Sequence, residues 1–426
     1  MRSNLNNAIR FKYHQLAQGV RFGYHQARNL VKLDLGQRLT SPTLVANTLD
    51  QDDVKIAKSE LKNRDHWFRA DDVTVYEKTF ADWNQSSYVF AFMGARVALS
   101  ASIYALNLKP GDEVIIPGYT CVVVLNSFRF AGIKAVFGDI ELDTYGLAAE
   151  CVENLVTPKT KAILLHHLYG LVCRDYEQLL SIAQKHHLSV IEDCAMSTGA
   201  VFKDRKIGNY GDIAIYSSEQ TKVFTTIQGG LAVTNRKDLA DRLKGFYSQA
   251  AYPQEGYIDK LLHTVFINYF SFKHPHRWWR EELVQILHEG KTLRSTTREE
   301  EQGVKPAHYG CRMPAPVARI GINQLRKIDA YNQTRRETSQ NWDTWCRRNG
   351  YQQPFVVPDS TPVFLRYPVL VEPENKRDTR WAHVSPGVTP GVWFVSNIHP
   401  VAGELKSCPR ANTAVRRCIN FPTLLF

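Results

Sequence analysis

Apolar runs alternate with amphipathic stretches through the first half of the chain. From Val73 onward, segments with apolar residues at helical spacing separate short runs that are apolar almost throughout. The runs predicted as strands are YVFAF, EVIIP, KAVFGDI, KAILLHHLYG and LSVIED. Such strands, joined to helices by short loops, indicate an α/β fold with a mainly parallel sheet covered by helices on both faces. Ligands bind these sheets at the carboxyl ends of the strands, which is where Asp193 lies.

The alternation is interrupted at residues 246–305. FYSQAAYPQEGY is predicted as a loop, and the aromatic and basic stretch DKLLHTVFINYFSFKHPHRWWREELVQILHEG as helical in pieces. We interpret this insertion as a cover over the rim of a site or a subunit contact, in preference to a membrane or partner face. Further on, one long helix is predicted through VARIGINQLRKIDAYNQTRRE, then strand-like runs VFLRYPVL and GVWFVS, and a helix near 408–417.

These patterns divide the chain into three parts. Residues 1–50 form a basic extension, residues 51–325 a large α/β domain that carries the insertion, and residues 326–426 a small α+β domain. Within the extension, FKYHQ recurs as FGYHQ after eleven residues, which is three helical turns and predicts a basic amphipathic helix. Packing of this helix on its own protein is favoured over contact with a partner or a membrane surface.

Charge and cysteine content narrow the classes of partner. The chain of 426 residues has a formal net charge of +11, which favours anionic partners such as phosphorylated substrates, nucleic acid or acidic lipid. No nucleic-acid motif is present, and no window of 18 apolar residues predicts a transmembrane segment. The eight cysteines show no metal-ligand spacing, so we expect no metal site, reduced thiols and a cytoplasmic protein.

The candidate chemistry lies in GDIAIYSSEQTKVFTTIQGGLAVTN. Two β-rich runs, Asp212–Ser217 and Gly230–Thr234, flank a polar loop with Lys222 in its middle. A lone loop lysine is more often simply solvated. However, VIEDCAMSTGA upstream reads as a buried strand that ends in Asp193. A lysine that forms a Schiff base and an aspartate that pairs with a pyridinium nitrogen are what pyridoxal phosphate chemistry requires.

Several ordered motifs carry a family resemblance. They are GARVAL (94–99), PGDEVIIPGYT (110–120), TKAILLHHLYG (160–170), VIEDCAMSTGA (190–200), and SSEQTK followed by QGG (217–230). In this order they resemble the DegT-type sugar aminotransferases that depend on pyridoxal 5'-phosphate, members of the aspartate aminotransferase fold, or fold type I. The resemblance extends from about residue 73 to residue 336. It implies a large α/β domain with a small C-terminal domain.

The resemblance also implies roles for individual residues. Lys222 matches the catalytic lysine that bonds the cofactor and later moves a proton. Asp193 matches the carboxylate on the pyridine nitrogen, and Ser217 a hydroxyl that binds the cofactor's phosphate. Ala95 and Arg96 match the turn whose backbone N–H groups begin a helix at that phosphate.

Three positions depart from the family pattern. Met196 stands where glutamine or histidine usually lies beside the cofactor's ring hydroxyl, and Cys121 where an aromatic residue often stacks on the ring. Gly310 replaces an asparagine that often reaches the other subunit. Members that dehydrate rather than aminate typically carry histidine at the lysine position, so Lys222 argues against that chemistry.

Five residues are candidates to face the substrate, although a tyrosine or histidine in an apolar strand is as often part of the core. They are Tyr119, His167, Tyr309, Arg312 and His399.

The resemblance implies a homodimeric aminotransferase. It would pass an amino group, from glutamate or glutamine, to a nucleotide-linked keto-sugar for polysaccharide or glycosylated-metabolite biosynthesis. Two alternatives stay open: another pyridoxal phosphate reaction on the same scaffold, and an inactive binding or assembly protein of this fold.

Overall fold

The computed structural model describes residues 44–46, 48–272, 296–306, 309–379, 381–384, 388 and 390–424. The strands in chain order are β1 (Tyr88–Phe92), β2 (Glu113–Pro117), β3 (Thr120–Cys121), β4 (Lys134–Gly138), β5 (Thr160–His166), β6 (Ser189–Asp193), β7 (Val201–Phe202), β8 (Arg205–Lys206), β9 (Ile213–Ser217), β10 (Gly230–Thr234), β11 (Ser360–Thr361), β12 (Tyr367–Leu370), β13 (Ile398–His399) and β14 (Cys418–Phe421).

A seven-stranded sheet with the order β1-β10-β9-β6-β5-β2-β4 forms the centre of the fold. Strands β9, β6, β5, β2 and β4 run parallel, whereas β10 is antiparallel to both of its neighbours, β1 and β9. The prediction of a mainly parallel α/β sheet is therefore confirmed. The two β-rich runs around Lys222 are β9 and β10, and they pair as a hairpin.

Helices cover the sheet. They are α1 (Gln51–Lys62), α2 (Ala70–Asn84), α3 (Ala95–Ala105), α4 (Val122–Phe130), α5 (Ala149–Val152), α6 (Tyr176–Lys185), α7 (Lys237–Gln249), α8 (Glu255–Phe272), α9 (Arg298–Glu301), α10 (Ala315–Leu325), α11 (Ile328–Asn349), α12 (Pro373–Arg377), α13 (Trp381–Val384) and α14 (Pro409–Arg417). Short 3₁₀ turns occupy Arg64–His66, Glu153–Leu155 and Leu168–Gly170.

Both faces of the sheet are buried. Along β2, Ile115 belongs to one apolar core, while its neighbours Val114 and Ile116 belong to a second core on the opposite face. Alternate residues of a strand point to opposite faces, so a strand buried on both faces must be apolar throughout. This is the physical reason why the strand runs could be recognised in the sequence.

Two predicted elements around the insertion were wrong. The segment predicted as a loop from Phe246 is helical as far as Gln249, because Phe246 and Tyr247 pack edge-on against Phe92 of β1 at centroid distances of 6.0 and 5.4 Å. The predicted single helix beyond Pro314 is two helices, α10 and α11. Helix α10 ends at Leu325, and α11 begins at Ile328. Between them, Nζ of Lys327 forms an ion pair with Asp53 at 2.7 Å.

One predicted strand in the C-terminal part is absent from the described residues. The run GVWFVS is not a strand; it makes a single bridge, between Gly391 and Asn420. Its aromatic residues Trp393 and Phe394 instead line the cavity described below.

The C-terminal part of the chain is joined to the main sheet region by strand pairing. Strand β11 pairs with β7, and β13 pairs with β3. A third apolar core contains residues of α11, β12 and β14 around Trp342 and Tyr367.

The predicted domain boundary between residues 325 and 326 stays a prediction. The predicted extension, residues 1–50, lies almost wholly outside the described residues, and residues 273–295 of the insertion lie outside them as well. Within the part of the chain that the structure describes, no helix combines the length and apolarity needed to cross a membrane.

Candidate active site

A cavity of about 860 Å³ lies at the carboxyl edge of the parallel strands. The last residues of three neighbouring strands line it: His166 of β5, Asp193 of β6 and Ser217 of β9. Register places His166 directly beside Asp193. Parallel strands end at a common edge, so the topology brings together polar residues that are far apart in the sequence.

Asp193 and His166 form a buried pair in the wall of this cavity. The Nε2 atom of His166 lies 2.6 Å from Oδ2 of Asp193, and the side chains are only 6% and 4% exposed. The backbone N–H of Ala195 donates to Oδ1 at 3.0 Å. Burial raises the pKa of Asp193, but the charge and hydrogen bond of His166, together with the N–H of Ala195 and the charge of Lys222, outweigh it, so the pKa lies below its ordinary value. Asp193 is therefore ionised at neutral pH.

The loop between β9 and β10 carries Lys222 into the same cavity. The loop is folded tightly: the N–H of Lys222 donates to the carbonyl of Glu219 at 2.9 Å, and Ser218 Oγ lies 2.7 Å from Thr226 Oγ1. The ammonium of Lys222 lies 4.9 Å from the ring centroid of Trp393. A cation held over an aromatic face has a defined position, which a solvated loop lysine lacks.

The amino end of helix α3 forms another part of the wall. The N-cap residue is Gly94, so no N-cap side chain caps the first N–H groups of the helix. Gly94, Ala95 and Arg96 line the cavity. A Cβ on Gly230 would lie 2.2 Å from the backbone nitrogen of Ala95. Strand β10 thus approaches α3 so closely that only glycine fits. A helix amino terminus presents backbone N–H groups and a partial positive charge, which suits an anionic group.

Arg96 adds a guanidinium beside this helix end. It forms an ion pair with Glu300 of α9, whose side chain is almost fully buried. Helix α9 begins with a capping box in which Thr297 and Glu300 satisfy each other's backbone N–H groups. The short α9 segment therefore forms a fixed wall, and the charge of Arg96 is balanced locally.

Two of the three departures from the family pattern, Met196 and Cys121, line the cavity. Met196 is buried, and its thioether can only accept a weak hydrogen bond. Burial raises the pKa of the Cys121 thiol, which therefore faces the cavity uncharged.

Tyr309 and His399 also line the cavity, as predicted for substrate-facing residues. The hydroxyl of Tyr309 is already engaged by Ser127 and Ser100 at 2.9 and 3.1 Å. Burial, with the nearby charge of Lys222, lowers the pKa of His399 to about 4. His399 is therefore a neutral imidazole at physiological pH.

Tyr119 and Arg312 are not brought to the cavity wall. Tyr119 is fully buried, with its hydroxyl 2.9 Å from that of Tyr169 and its ring 4.5 Å from that of Phe394. The guanidinium of Arg312 lies 4.0 Å from the ring centroid of Tyr252. Both side chains pack against aromatic rings in this structure, and their predicted roles toward the substrate or a second subunit stay predictions.

Of the two adjacent histidines, His167 was the predicted substrate-facing residue, but His166 is the one that contacts Asp193. The Nδ1 atom of His167 accepts the N–H of Cys173 at 3.2 Å, and its Nε2 lies 3.5 Å from Glu192. Although His167 borders the cavity, its ring nitrogens therefore face protein groups. Strand alternation could have separated the two histidines, because His166 occupies the strand's last position beside Asp193.

Other cavity residues were also missed, namely Trp393 and Glu300. Trp393 was missed because its segment was predicted as a strand, and Glu300 because it lies in the charged run REEE, which has no apolar periodicity. A signal for Glu300 exists in the sequence, since Thr297 followed by Glu300 is the capping-box pattern.

His167, Glu192 and Cys194 form a buried group whose ligand atoms lie within 4.8 Å of one another. The Glu192 carboxylate already accepts hydrogen bonds from the N–H groups of Gly208 and Tyr210 at 2.7 and 2.9 Å. The hydroxyl of Tyr176 and the N–H of Gly211 donate to it as well. Protein donors thus saturate this carboxylate, and the group works as a structural network beneath Asp193.

Two buried arginines lie behind the Lys222 loop. Arg335 donates through Nη2 to the carbonyl of Val223 at 2.6 Å, and Arg366 lies 5.8 Å from the ring centroid of Trp393. Among the described residues neither is paired with a carboxylate. Burial lowers the pKa of both guanidinium groups to about 9. The interior behind the cavity is therefore electropositive, which favours an anionic ligand.

The family model described as the DegT/DnrJ/EryC1/StrS aminotransferase family matches residues 48–425. A GDP-perosamine synthase of Caulobacter vibrioides is 37% identical over 185 residues, which cover 43% of this chain and 50% of the relative. An L-glutamine:2-deoxy-scyllo-inosose aminotransferase of Streptomyces kanamyceticus is 36% identical over 169 residues, covering 40% of this chain and 39% of the relative. The chain thus spans about half, or less, of the length of the curated relatives it matches.

Solved structures share the fold. The aminotransferase TlmJ from Streptoalloteichus hindustanus superposes with a TM-score of 0.69 at 20% identity, covering 91% of this chain and 93% of that chain. The GDP-4-keto-6-deoxy-D-mannose-3-dehydratase of E coli, with bound hydrated PLP, gives 0.67 at 18% identity, covering 90% of this chain and 95% of that one. The predicted fold class is therefore confirmed.

Proposed function

Because the chain belongs to the DegT/DnrJ/EryC1/StrS aminotransferase family, we propose that it is an aminotransferase that uses pyridoxal 5'-phosphate. It transfers an amino group from glutamate or glutamine to a keto-sugar carried on a nucleotide. The observation that carries this proposal is the presence of Lys222 and the ionised Asp193 in the wall of one cavity. A reactive amine and a buried carboxylate are the protein groups that this cofactor's chemistry requires.

The residues around the cavity fit the cofactor at both of its ends. Asp193 supplies a fixed negative charge for a protonated ring nitrogen. Ser217 and the amino end of helix α3 supply a hydroxyl and backbone N–H groups for a phosphate, and Gly230 keeps that helix end clear of side chains. When bound, pyridoxal phosphate supplies an electron sink for negative charge that develops at the reacting carbon.

The protein's own residues perform the remaining work. Lys222 offers an amine that bonds a carbonyl carbon and afterwards accepts and returns a proton. The indole of Trp393 and the folded β9–β10 loop hold that amine in place. Asp193 keeps its charge because His166 stabilises the ionised form. The neutral imidazole of His399 adds a further polar group to the cavity wall without adding charge.

The substrate class follows from charge and from the relatives. A net charge of +11 and the buried arginines near the cavity favour a substrate with a diphosphate. The relative from Caulobacter vibrioides is named for a GDP-linked amino sugar, and the one from Streptomyces kanamyceticus for glutamine as amino donor. We place the product in polysaccharide or glycosylated-metabolite biosynthesis, and the enzyme in the cytoplasm as a homodimer.

The first test asks whether Lys222 bonds the cofactor. The purified protein with added cofactor should show a visible absorbance band, and borohydride reduction followed by peptide mapping should place the label on Lys222. Lys222→Arg should lose the band and all turnover, because a guanidinium cannot form and release that bond. Lys260 also lines the cavity, so Lys260→Arg is the matched control and should keep the label on Lys222. A label on Lys260 would refute the assignment.

A second test separates amino transfer from the other reactions of this fold, since a dehydratase is among the structural neighbours. The holoenzyme is incubated with glutamate or glutamine and a panel of nucleotide keto-sugars, with small oxo-acids as comparison acceptors. We expect an amino sugar that retains its hydroxyl groups. Loss of a hydroxyl group, or acceptance of oxo-acids alone, would overturn the proposed substrate class.

A further inference from the structure

The His166–Asp193 pair is a feature of the cavity that the proposed chemistry does not by itself require. We propose that His166 is a positioning residue, whose Nε2 holds the Asp193 carboxylate ionised and oriented toward the ring nitrogen of the cofactor. This inference rests on the proposed function, because it concerns how Asp193 meets that cofactor.

The orientation follows from the two donors on Asp193. The backbone N–H of Ala195 fixes Oδ1 at 3.0 Å, and His166 fixes Oδ2 at 2.6 Å. Two donors on two different oxygens prevent the carboxylate from rotating. Each carboxylate oxygen has two lone pairs, so the pair still leaves acceptor sites for a third donor from the cavity. The short distance is typical of a charge-assisted bond.

His166 and Lys222 differ in how they support the negative charge of Asp193. Both groups favour ionised Asp193, with the contribution of His166 larger than that of Lys222. Lys222, however, must lose its positive charge before its amine can attack a carbonyl. Its support for Asp193 is therefore withdrawn when the reaction begins, whereas the hydrogen bond from His166 remains. A carboxylate only 4% exposed would otherwise take up a proton to avoid desolvation.

The side chain of Met196, which also lines the cavity, does not compete with His166 as a donor to Asp193. This side chain has no hydrogen-bond donor, so it cannot replace His166. The Nδ1 atom of His166 is buried and has no hydrogen-bond partner among the described residues. Among the described residues, Asp193 is therefore the hydrogen-bond partner that orients the imidazole of His166.

Two substitutions separate the hydrogen bond from simple packing. In His166→Gln the amide nitrogen takes the place of Nε2 and can still donate to Asp193. In His166→Asn the amide nitrogen takes the place of Nδ1 and falls short of Asp193. We expect His166→Asn to weaken cofactor affinity and slow the donor half-reaction by about tenfold to hundredfold, the loss expected for a hydrogen bond to a charged group. His166→Gln should stay within a few-fold of wild type.

The double variant with Asp193→Asn tests whether His166 acts through Asp193. If it does, His166→Asn should cause little further change when Asp193 is already neutral. Cofactor affinity is measured by equilibrium dialysis, and thermal unfolding of the cofactor-free proteins reports on the fold. Equal losses in the Gln and Asn variants, or the full effect of His166→Asn in the Asp193→Asn background, would overturn the inference.

Failure of the inference about His166 can be distinguished from failure of the proposed function by the borohydride test on Lys222. If borohydride labels Lys222 but both His166 variants bind cofactor and turn over as wild type does, only this inference fails. If no lysine is labelled, the proposed function itself fails.

Discussion

At the scale of single residues, burial and neighbouring charge give the cavity groups opposite ionisation states. Asp193 is buried yet ionised, because His166 and Lys222 favour its charged form. Burial disfavours the charged imidazole of His399, and the neighbouring cations Lys222 and Lys376 add to this effect, so its pKa falls to about 4. The same physical terms thus keep one group charged and the other neutral.

The low pKa of His399 predicts an acid-sensitive contribution to stability. Unfolded His399 binds a proton below about pH 6.5, while folded His399 does so only near pH 4, so stability through this group falls as the pH drops between these values. Relative to His399→Asn, cofactor-free wild type should lose roughly 2 to 3 kcal/mol of unfolding free energy across this window. Urea unfolding at each pH measures it.

The exposed His187 provides the control for this experiment. His187→Asn should reproduce the wild-type pH dependence. If His399→Asn does so too, the attribution to His399 is wrong.

At the scale of elements, the contact between strand β10 and helix α3 positions the proposed phosphate end. Because β10 runs antiparallel to β9, its first residue, Gly230, returns to the same sheet edge as the end of β9. There it packs directly against the backbone of Gly94 and Ala95. The hairpin and the helix start therefore depend on each other.

Gly230→Ala is the variant that tests this contact. An added Cβ would lie 2.2 Å from the nitrogen of Ala95 and 2.3 Å from the carbonyl carbon of Gly94, and backbone atoms cannot yield as a flexible side chain would. We expect a loss of about 3 kcal/mol in unfolding free energy and weaker cofactor binding. Gly245→Ala in α7, where nothing lies within 4 Å of the new Cβ, should instead gain about 0.5–1 kcal/mol.

Urea midpoints of the cofactor-free variants provide the comparison. A Gly230→Ala protein as stable as Gly245→Ala would show that the two elements can separate without cost.

Features that depend on contiguous residues could be predicted from the sequence, whereas contacts between distant residues could not. The strands of the sheet were predicted because burial on both faces makes them largely apolar, as in β2 and β5. GVWFVS is equally apolar, but its half-buried Trp393 faces a cavity rather than packing in a sheet, a distinction that periodicity does not encode. His166 was missed because its partner Asp193 lies 27 residues away, in a different strand.

At the scale of the whole molecule, the excess of positive charge favours an anionic substrate. The chain carries a net charge of +11, and two arginines without a carboxylate partner among the described residues are buried behind the Lys222 loop. Long-range attraction of this kind is screened by salt, while buried pairs are screened much less.

The expected consequence is a salt-dependent KM. Raising the ionic strength from about 0.05 to about 0.5 M should raise the KM for the nucleotide-linked substrate several-fold, with kcat changed much less. The matched measurement is the KM for glutamine, which has no net charge and should vary little. Equal sensitivity of both substrates would indicate that salt acts on the protein rather than on substrate attraction.

The hairpin that holds Lys222 has a consequence for how this scaffold can diversify. Both ends of the loop are anchored on adjacent antiparallel strands, with Ser218 N donating to the carbonyl of Gly229 at 3.0 Å. The loop is also tied to the helices behind it, since the N–H of Thr225 donates to Gln324 of α10 and the carbonyl of Val223 accepts from Arg335 of α11. A change in loop length would therefore displace Lys222, so we expect specificity on this scaffold to be redirected through cavity residues on other elements, with the length of this loop kept.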